Sequence, residues 1–501
     1  MSEIADIFNA LLATPTIIPA AFAGIAWGIL GGALPGISPS ITMALLLPFT
    51  YGMDPSTAVV LLASTYLGAE YGGSIPAVLI RTPGTNSAAA TVIDGYAMKE
   101  QGRAGEALGI SLYSTLLGST FGVILLVALT QPLAQVALAF QPTSYVGLGL
   151  LGLSVIASLA GESLLKGLMA GMIGLMIATV GTDPVTGLNR FTFDDPELLS
   201  GIPPILVMVG IYAITELFEQ SSQPGWRQTN SADASIKIPD RPMRKRLRLS
   251  QAIGAVIGFI EGVTPGAGGT IAAFLSYNEA KRWSKKPEEF GHGSPEGIAA
   301  PECANGAVSC TALIPMLGLG IPGSNSAAVL LGGFLIHGMI PGPMLFTKHH
   351  DVVMGLYAGK IVSLAALVIV GYAILRPCVW LVNRPKHYLM AFIYALVLSG
   401  VYAIGNSLFH VGIALGFGVV GYGMKYFRMP VLPMVLGVVL GFMVESNYRR
   451  ALVLSDGDYS TFVRDPISAV LLALSAIFIV TSLIRHFRAA GSSGKPTGTP
   501  A

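Results

Sequence analysis

Eight apolar runs, at 16–34, 107–130, 143–160, 163–181, 352–375, 387–404, 408–424 and 464–484, approach or exceed the about 20 residues that a helix needs to cross a hydrocarbon core. Only the bilayer suits so many runs, and there a backbone must satisfy itself in helices or closed barrels. Runs of this length select helices. The chain is 52% hydrophobic and only 11% charged, against roughly 25% charged residues in soluble domains. Further apolar stretches at 41–51, 71–81, 84–98, 303–320 and 326–340 are interrupted by Pro and Gly. The expected fold is an all-α polytopic membrane protein, with about ten to twelve crossings plus re-entrant or broken helices. Net charge +2 without a dominant basic face argues against nucleic acid as a partner. Cys303, Cys310 and Cys378 make neither a disulfide framework nor a zinc spacing.

The amino terminus carries Glu3 and Asp6 where a signal peptide needs Lys or Arg, so it is expected to be retained. The main polar interruption, 221–250, holds seven basic residues against Asp233 and Asp240, densest over Arg241–Arg248. The positive-inside rule makes it a cytoplasmic linker. It separates a first transmembrane repeat, 1–220, from a second, 251–485, which has an extra C-terminal helix. A flexible Gly/Ser/Thr/Pro-rich tail, 486–501, follows.

The two halves repeat one another. Gly28-x3-Gly32-x2-Pro35-Gly36 is matched by Gly258-x3-Gly262-x2-Pro265-Gly266. Pro76-x6-Pro83-Gly84-Thr85-Asn86-Ser87 is matched by Pro315-x6-Pro322-Gly323-Ser324-Asn325-Ser326. Proline removes a donor and glycine admits unusual dihedrals. The groups so freed cannot face lipid, and must be buried in protein or line a cavity. Each Pro-Gly followed by Ser, Thr or Asn reads as a new helix start, whose open N–H groups attract anions. Inverted-repeat transporters build substrate sites from such half-helices. Tight loops at the membrane surface are the plainer alternative.

Several motifs mislead. Pro265–Thr270 resembles a phosphate loop but has no Gly-Lys-Ser/Thr ending. Gly291-His-Gly293 lacks the βαβ context and third Gly of a dinucleotide fingerprint. Asp194, Asp195 and Glu197 read as a solvated turn, and His349-His350 as a helix cap. No nucleophile–base pair stands at usable spacing, so the chain is not read as an enzyme.

The stretch Gly254–Phe346, with EGVTPGAGGT, FGHGSPEGIAAPECANGAV and LGIPGSNSAAVLLGG, resembles the large membrane subunit of the tripartite tricarboxylate transporters, the TctA family. Gly28–Leu47 and Pro83–Ala97 match its amino-terminal half. The resemblance covers nearly the whole chain and thins after Arg485. It implies a secondary transporter of di- and tricarboxylates such as citrate in a bacterial inner membrane, without a cofactor and usually coupled to Na+. It also implies two partners, a small four-helix membrane subunit and a periplasmic solute-binding protein.

Moving a dianion inward against ~100 mV costs about 4.6 kcal/mol, at roughly 2.3 per charge. No ATP-binding motif supplies it, whereas two cotransported cations cancel it and a third drives uptake. Pro83, Gly84, Thr85, Asn86, Ser87, Pro322, Gly323, Ser324, Asn325 and Ser326 are the expected substrate-binding set. Arg81 stands beside them where the second copy has Gly320; it either selects the substrate's charge or snorkels to the interface. Pro35, Gly36, Ser38, Ser40, Thr264, Gly266, Gly268 and Thr270 offer neutral oxygens for Na+. Were protons the driving ion, Glu70 would be the candidate carrier. The broken portions, 28–98 and 258–342, are expected to move like an elevator against a dimeric scaffold of 107–218 and 352–445. Pro142-x2-Tyr145 and Gly167-x3-Gly171 echo Pro385-x2-Tyr388 and Gly412-x3-Gly416 in that scaffold. The rival class is a gated channel or a membrane subunit that only docks a partner.

Overall fold

A computed structural model describes residues 2–159, 164–183, 187–222, 235–265, 268–382, 384 and 386–492. The expected Gly266 and Pro385 lie outside the described residues, as do 223–234 of the linker and 493–501 of the tail. The first stretch forms α1 (Ser2–Ala13), α2 (Ile17–Gly32), α3 (Pro39–Leu46), α4 (Pro55–Gly72), α5 (Ser74–Ile80), α6 (Ala89–Glu100) and α7 (Ala104–Ala137). Then come α8 (Pro142–Leu159), α9 (Leu164–Ala178), a ladder of β1 (Gly181–Thr182) with β2 (Asn189–Arg190), and α10 (Pro204–Met208). A π-helical turn, Val209–Ile214, leads into α11 (Thr215–Ser222). The second stretch has α12 (Arg241–Val263), α13 (Gly268–Trp283), α14 (Pro295–Thr311), α15 (Leu313–Leu319), α16 (Asn325–Ile336), α17 (Pro343–Lys348) and α18 (His350–Ala373). It ends with α19 (Leu375–Val382), α20 (Lys386–Gly405), α21 (Leu408–Tyr426), α22 (Leu432–Leu454), α23 (Thr461–Arg464) and α24 (Pro466–Ser492).

Among the described residues, α7, α18, α21 and His387–Ile404 of α20 are long and apolar enough to cross a membrane. The pair α1–α2, bent by 89°, makes a fifth if it counts as one span. Length and composition thus identify four or five crossings, fewer than ten to twelve. Three of the eight long runs, 143–160, 163–181 and 464–484, come out as shorter apolar helices, Pro142–Val155, Leu164–Ala178 and Pro466–Thr481. The basic cluster is not loop. Asp240 accepts the Met243 N–H at 2.9 Å and starts α12 at Arg241, so Arg241–Arg248 forms that helix's first turns. His349 sits at the N-cap position of α18 but makes no side-chain capping bond.

The chain gathers into two compact units, one of Met1–Leu138 with Ile205–Tyr422, the other of Ala139–Pro204 with Gly423–Ala501. In the second unit α22 packs on α8 and α9, and α24 on α8. An ionic network there links β2 to α22. Arg190 bonds Glu445 at 2.5 Å, and Arg449 bonds Asp183 at 2.7 Å and Glu445 at 2.9 Å. Asp195 caps a short turn by accepting the Glu197 N–H at 2.9 Å.

The first unit is organised around two pairs of close-packed helices, α2 on α4 and α12 on α14. Gly28 and Gly258 are the contact points, where an added Cβ would stand 2.4 Å from the carbonyl oxygens of Thr65 and Ala304. Beyond each pair the chain breaks in the same way. After α5, Arg81 turns left-handed at φ 59°; after α15, Gly320 does so at 79°. The Gly84 N–H then returns to the Gly73 carbonyl at 3.1 Å, and the Gly323 N–H to the Ala312 carbonyl at 3.3 Å. A Cβ on Gly84 would lie 1.9 Å from the Gly32 oxygen, and one on Gly323 2.2 Å from the Gly262 oxygen. Backbone cannot yield at that distance.

Gly84→Ala should therefore cost about 1–3 kcal/mol or more, read as a lowered unfolding midpoint of the purified protein. Arg81→Gly should keep or raise that midpoint, because a non-glycine residue in the left-handed region carries about 1–2 kcal/mol of strain. Equal effects of the two changes would contradict this account of the break.

Candidate functional site

The two breaks open on one cavity of about 120 Å³ in the first unit. Its walls are Ser38–Ser40, Tyr66, Glu70, Asn86, Ser87, Gly268–Thr270 and Ser324–Ser326. Four helix starts therefore meet there: α3, α6, α13 and α16. Ser38 and Ser324 cap α3 and α16 by accepting the N–H groups of Ile41 at 3.4 Å and Ala327 at 3.1 Å. Each start contributes the positive end of its peptide dipoles. Hydroxyls, amides and the Glu70 carboxyl group supply the rest of the lining, with no Lys, Arg or His among them.

The substrate and cation sets expected from the sequence share this cavity. Asn86, Ser87, Ser324, Asn325 and Ser326 of the first set line it together with Ser38, Ser40, Gly268 and Thr270 of the second. Pro83, Gly84, Thr85, Pro322 and Gly323 shape the turns without lining it. Pro35, Gly36 and Thr264 also stand away from it; Thr264 Oγ1 donates to the Ile260 carbonyl at 2.7 Å. Arg81 is exposed, its guanidinium 5.6 Å from the centre of the Tyr96 ring.

Tyr66 was not singled out by the sequence. Its hydroxyl meets Ser324 Oγ at 2.9 Å, which joins α4 to the second break. Glu70 lines the same wall one turn on, and its Oε2 accepts the Ser87 hydroxyl at 2.7 Å, which joins α4 to the first. Asn305 of α14 donates Nδ2 to the Glu70 carbonyl at 3.5 Å, and its buried Oδ1 has no partner among the described residues.

Behind the cavity, buried charges are held by neutral groups. Glu302 of α14, 1% exposed, takes hydroxyl bonds from Ser74 at 2.7 Å and Thr91 at 2.5 Å on one oxygen. Ser111 and Thr115, both at 3.0 Å, fill the other. One carboxyl group thus clamps α5, α6 and α7 to α14, with all of about four acceptor positions used. Lys360 of α18, 0% exposed, donates to the carbonyls of Ala63 and Ser309 at 3.3 Å each, bridging α4 and α14. Asp94 of α6 accepts three backbone N–H groups, from Gly291 at 2.9 Å and from Gly293 and Ser294 at 2.8 Å, and the Tyr277 hydroxyl at 2.9 Å. The glycine-rich stretch that imitated a dinucleotide fingerprint is a backbone cradle for this carboxylate. Two acidic residues inside apolar runs, Glu302 and Asp94, were the available signals for these contacts.

The model of the tripartite tricarboxylate transporter TctA family matches residues 18–436. A protein of Agrobacterium vitis, described as an uncharacterized 52.8 kDa protein in the TAR-I ttuC' 3' region, is 37% identical over 475 residues, 95% of each chain. A second from that organism, an uncharacterized protein in the TAR-II ttuC' 3' region, is 36% identical over 231 residues, 46% of this chain and 96% of its own. No solved structure matches the chain.

Glu302→Ala should lower stability by about 3 kcal/mol or more, since it strips four buried hydroxyls of a shared acceptor. Glu302→Gln keeps the shape and one acceptor oxygen, and should cost about 1 kcal/mol. Thermal unfolding of the two purified variants checks the order; a milder effect of Ala than of Gln would refute the clamp.

Proposed function

The chain belongs to the tripartite tricarboxylate transporter TctA family, and on that premise we propose that its four-start cavity is where a di- or tricarboxylate such as citrate is held during transport. The observation that carries this reading is the convergence of α3, α6, α13 and α16 on one cavity that no Lys, Arg or His lines. Helix starts bind carboxylates through backbone N–H groups and dipole ends, with no fixed cation to trap the substrate. Serine and asparagine side chains at both breaks can donate as well as accept, and so follow a polyanion as it loads and leaves.

In this reading the chain is the large permease subunit of a sodium-driven secondary transporter in the inner membrane of a bacterium. A periplasmic binding protein delivers the substrate and a small four-helix subunit completes the complex, with the large subunit acting as a homodimer. The two halves act as inverted repeats, each lending the cavity one broken helix and one short-loop helix start. Alternating access then moves the cavity as part of a rigid body. Ser64 of α4 meets Ser363 of α18 at 2.8 Å, and α7 packs along α14 within the same compact unit. We therefore assign α7 and α18 to the moving body, in contrast to the sequence-based division that put 107–218 and 352–445 in the scaffold.

Asn86→Ala and Asn325→Ala should each remove most citrate uptake while the protein still reaches the membrane, and replacing external Na+ by choline at constant pH should stop accumulation in wild type. Near-normal uptake by both variants would take the cavity out of the transport path. Persistent accumulation in choline would leave the cavity reading standing but transfer the coupling to protons.

For the motion, the double variant Ser64→Cys/Ser363→Cys, once oxidised, should transport at close to the reduced rate. A block that dithiothreitol relieves would return α18 to the scaffold.

A further inference from the structure

The cavity draws in negative charge, yet one of its walls carries a carboxyl group. Glu70 is 5% exposed and stands against the first break, where its Oε2 accepts the Ser87 hydroxyl at 2.7 Å. Ser87 Oγ lies 3.1 Å from Thr85 Oγ1, so the carboxylate already uses the polar groups that precede α6. An entering carboxylate would compete for the same groups, inside a cavity too small to keep two anions apart.

Among the described residues no basic side chain lines the cavity to relieve that conflict. Arg81 lies over Tyr96, and the ammonium of Lys360 is taken by two carbonyls. The titratable groups near Glu70 are Tyr66 and Tyr71 on its own helix and Glu302 on α14, while Asp94 of α6 is occupied by the cradle at Gly291–Ser294. Apart from Tyr66 and Glu70 of α4, no titratable side chain is among the residues that line the cavity. Beside it Asn305 Oδ1, on a residue 2% exposed and without a partner among the described residues, lies 2.7 Å from where a Cβ on the wall residue Gly269 would stand.

Resting on the reading of this cavity as the carboxylate site, we infer that Glu70 is where the driving cation is taken up, so that substrate is held only while the Glu70 charge is neutralised. The neutralising species is one monovalent cation. A proton would bond to a Glu70 carboxyl oxygen and be released from it on the far side. A sodium ion would be held by that oxygen with the Ser87 hydroxyl and Asn305 Oδ1. Either way the ion and the substrate load together, because each removes the obstacle to the other, and that mutual dependence is reciprocal. A permanent cation in place of Glu70 would bind the substrate without using the gradient.

The test is equilibrium binding of labelled citrate to the purified full-length protein, with succinate as a second probe, from about pH 8 to pH 9.5, where both probes are almost fully ionised. It is run in choline and in graded Na+. Wild type should lose about tenfold in affinity for each tenfold fall in one of the two cations, which identifies the cation, and Glu70→Gln should bind with that slope abolished. A Gln variant that keeps the wild-type slope overturns the inference. So does a folded Gln variant that binds neither probe, since the neutral amide imitates the loaded side chain, and so does a wild type that binds without any slope. Failure of the cavity itself reads differently: Asn86→Ala and Asn325→Ala would then leave the affinity unchanged, or wild type would bind neither probe.

Discussion

A helix interrupted in apolar surroundings must return every donor and acceptor it frees, and the breaks at Gly84 and Gly323 depend on that constraint. Each returns its N–H to a carbonyl one helix earlier, and each is pressed against a carbonyl in the last turn of its neighbour, Gly32 or Gly262. The fit leaves no room for a side chain at the turn. It also explains where the polar residues go. With the backbone satisfied inside the turn, Asn86, Ser87, Ser324, Asn325 and Ser326 are left to project into the cavity.

Charge around the cavity is held differently from charge in the second unit. In the second unit Arg190, Arg449, Asp183 and Glu445 neutralise one another. Around the cavity Glu302, Lys360 and Asp94 are each surrounded by hydroxyls, carbonyls or N–H groups. An ion pair there would lock opposite charges together at the cost of desolvating both. Neutral partners spread each charge over several dipoles and bind three or four helices at once.

Much of the cavity was legible in the sequence because a Pro-Gly break followed by Ser or Asn is a local signal, and its repetition at Pro83 and Pro322 made it distinctive. The substrate and cation sets looked like different places because they lie far apart in the chain; only packing brings Ser38 and Gly268 beside Asn86 and Asn325. Tyr66, Asn305 and Glu302 escaped notice for a different reason. A single polar residue in an apolar helix has no periodicity, and its partner stands on another helix. The basic cluster at Arg241 was read as a loop because its charge outweighed a helix-start signal, Asp240 with Pro242 two residues on. The number of crossings is the least legible feature, since short helices joined at breaks do not register as spans by length.

The hydroxyl clamp on Glu302 has a consequence for how the chain is made. Its donors, Ser74, Thr91, Ser111 and Thr115, precede their acceptor by 187 to 228 residues. At about 5–20 residues per second, the ribosome needs roughly 10 to 40 seconds to supply the carboxyl group after the last of them enters the membrane. Meanwhile a serine or threonine can bond the carbonyl one turn back in its own helix. Hydroxyls therefore tolerate a delay that an unpartnered lysine or arginine in lipid would not, and these four donors can wait in the bilayer until their acceptor arrives.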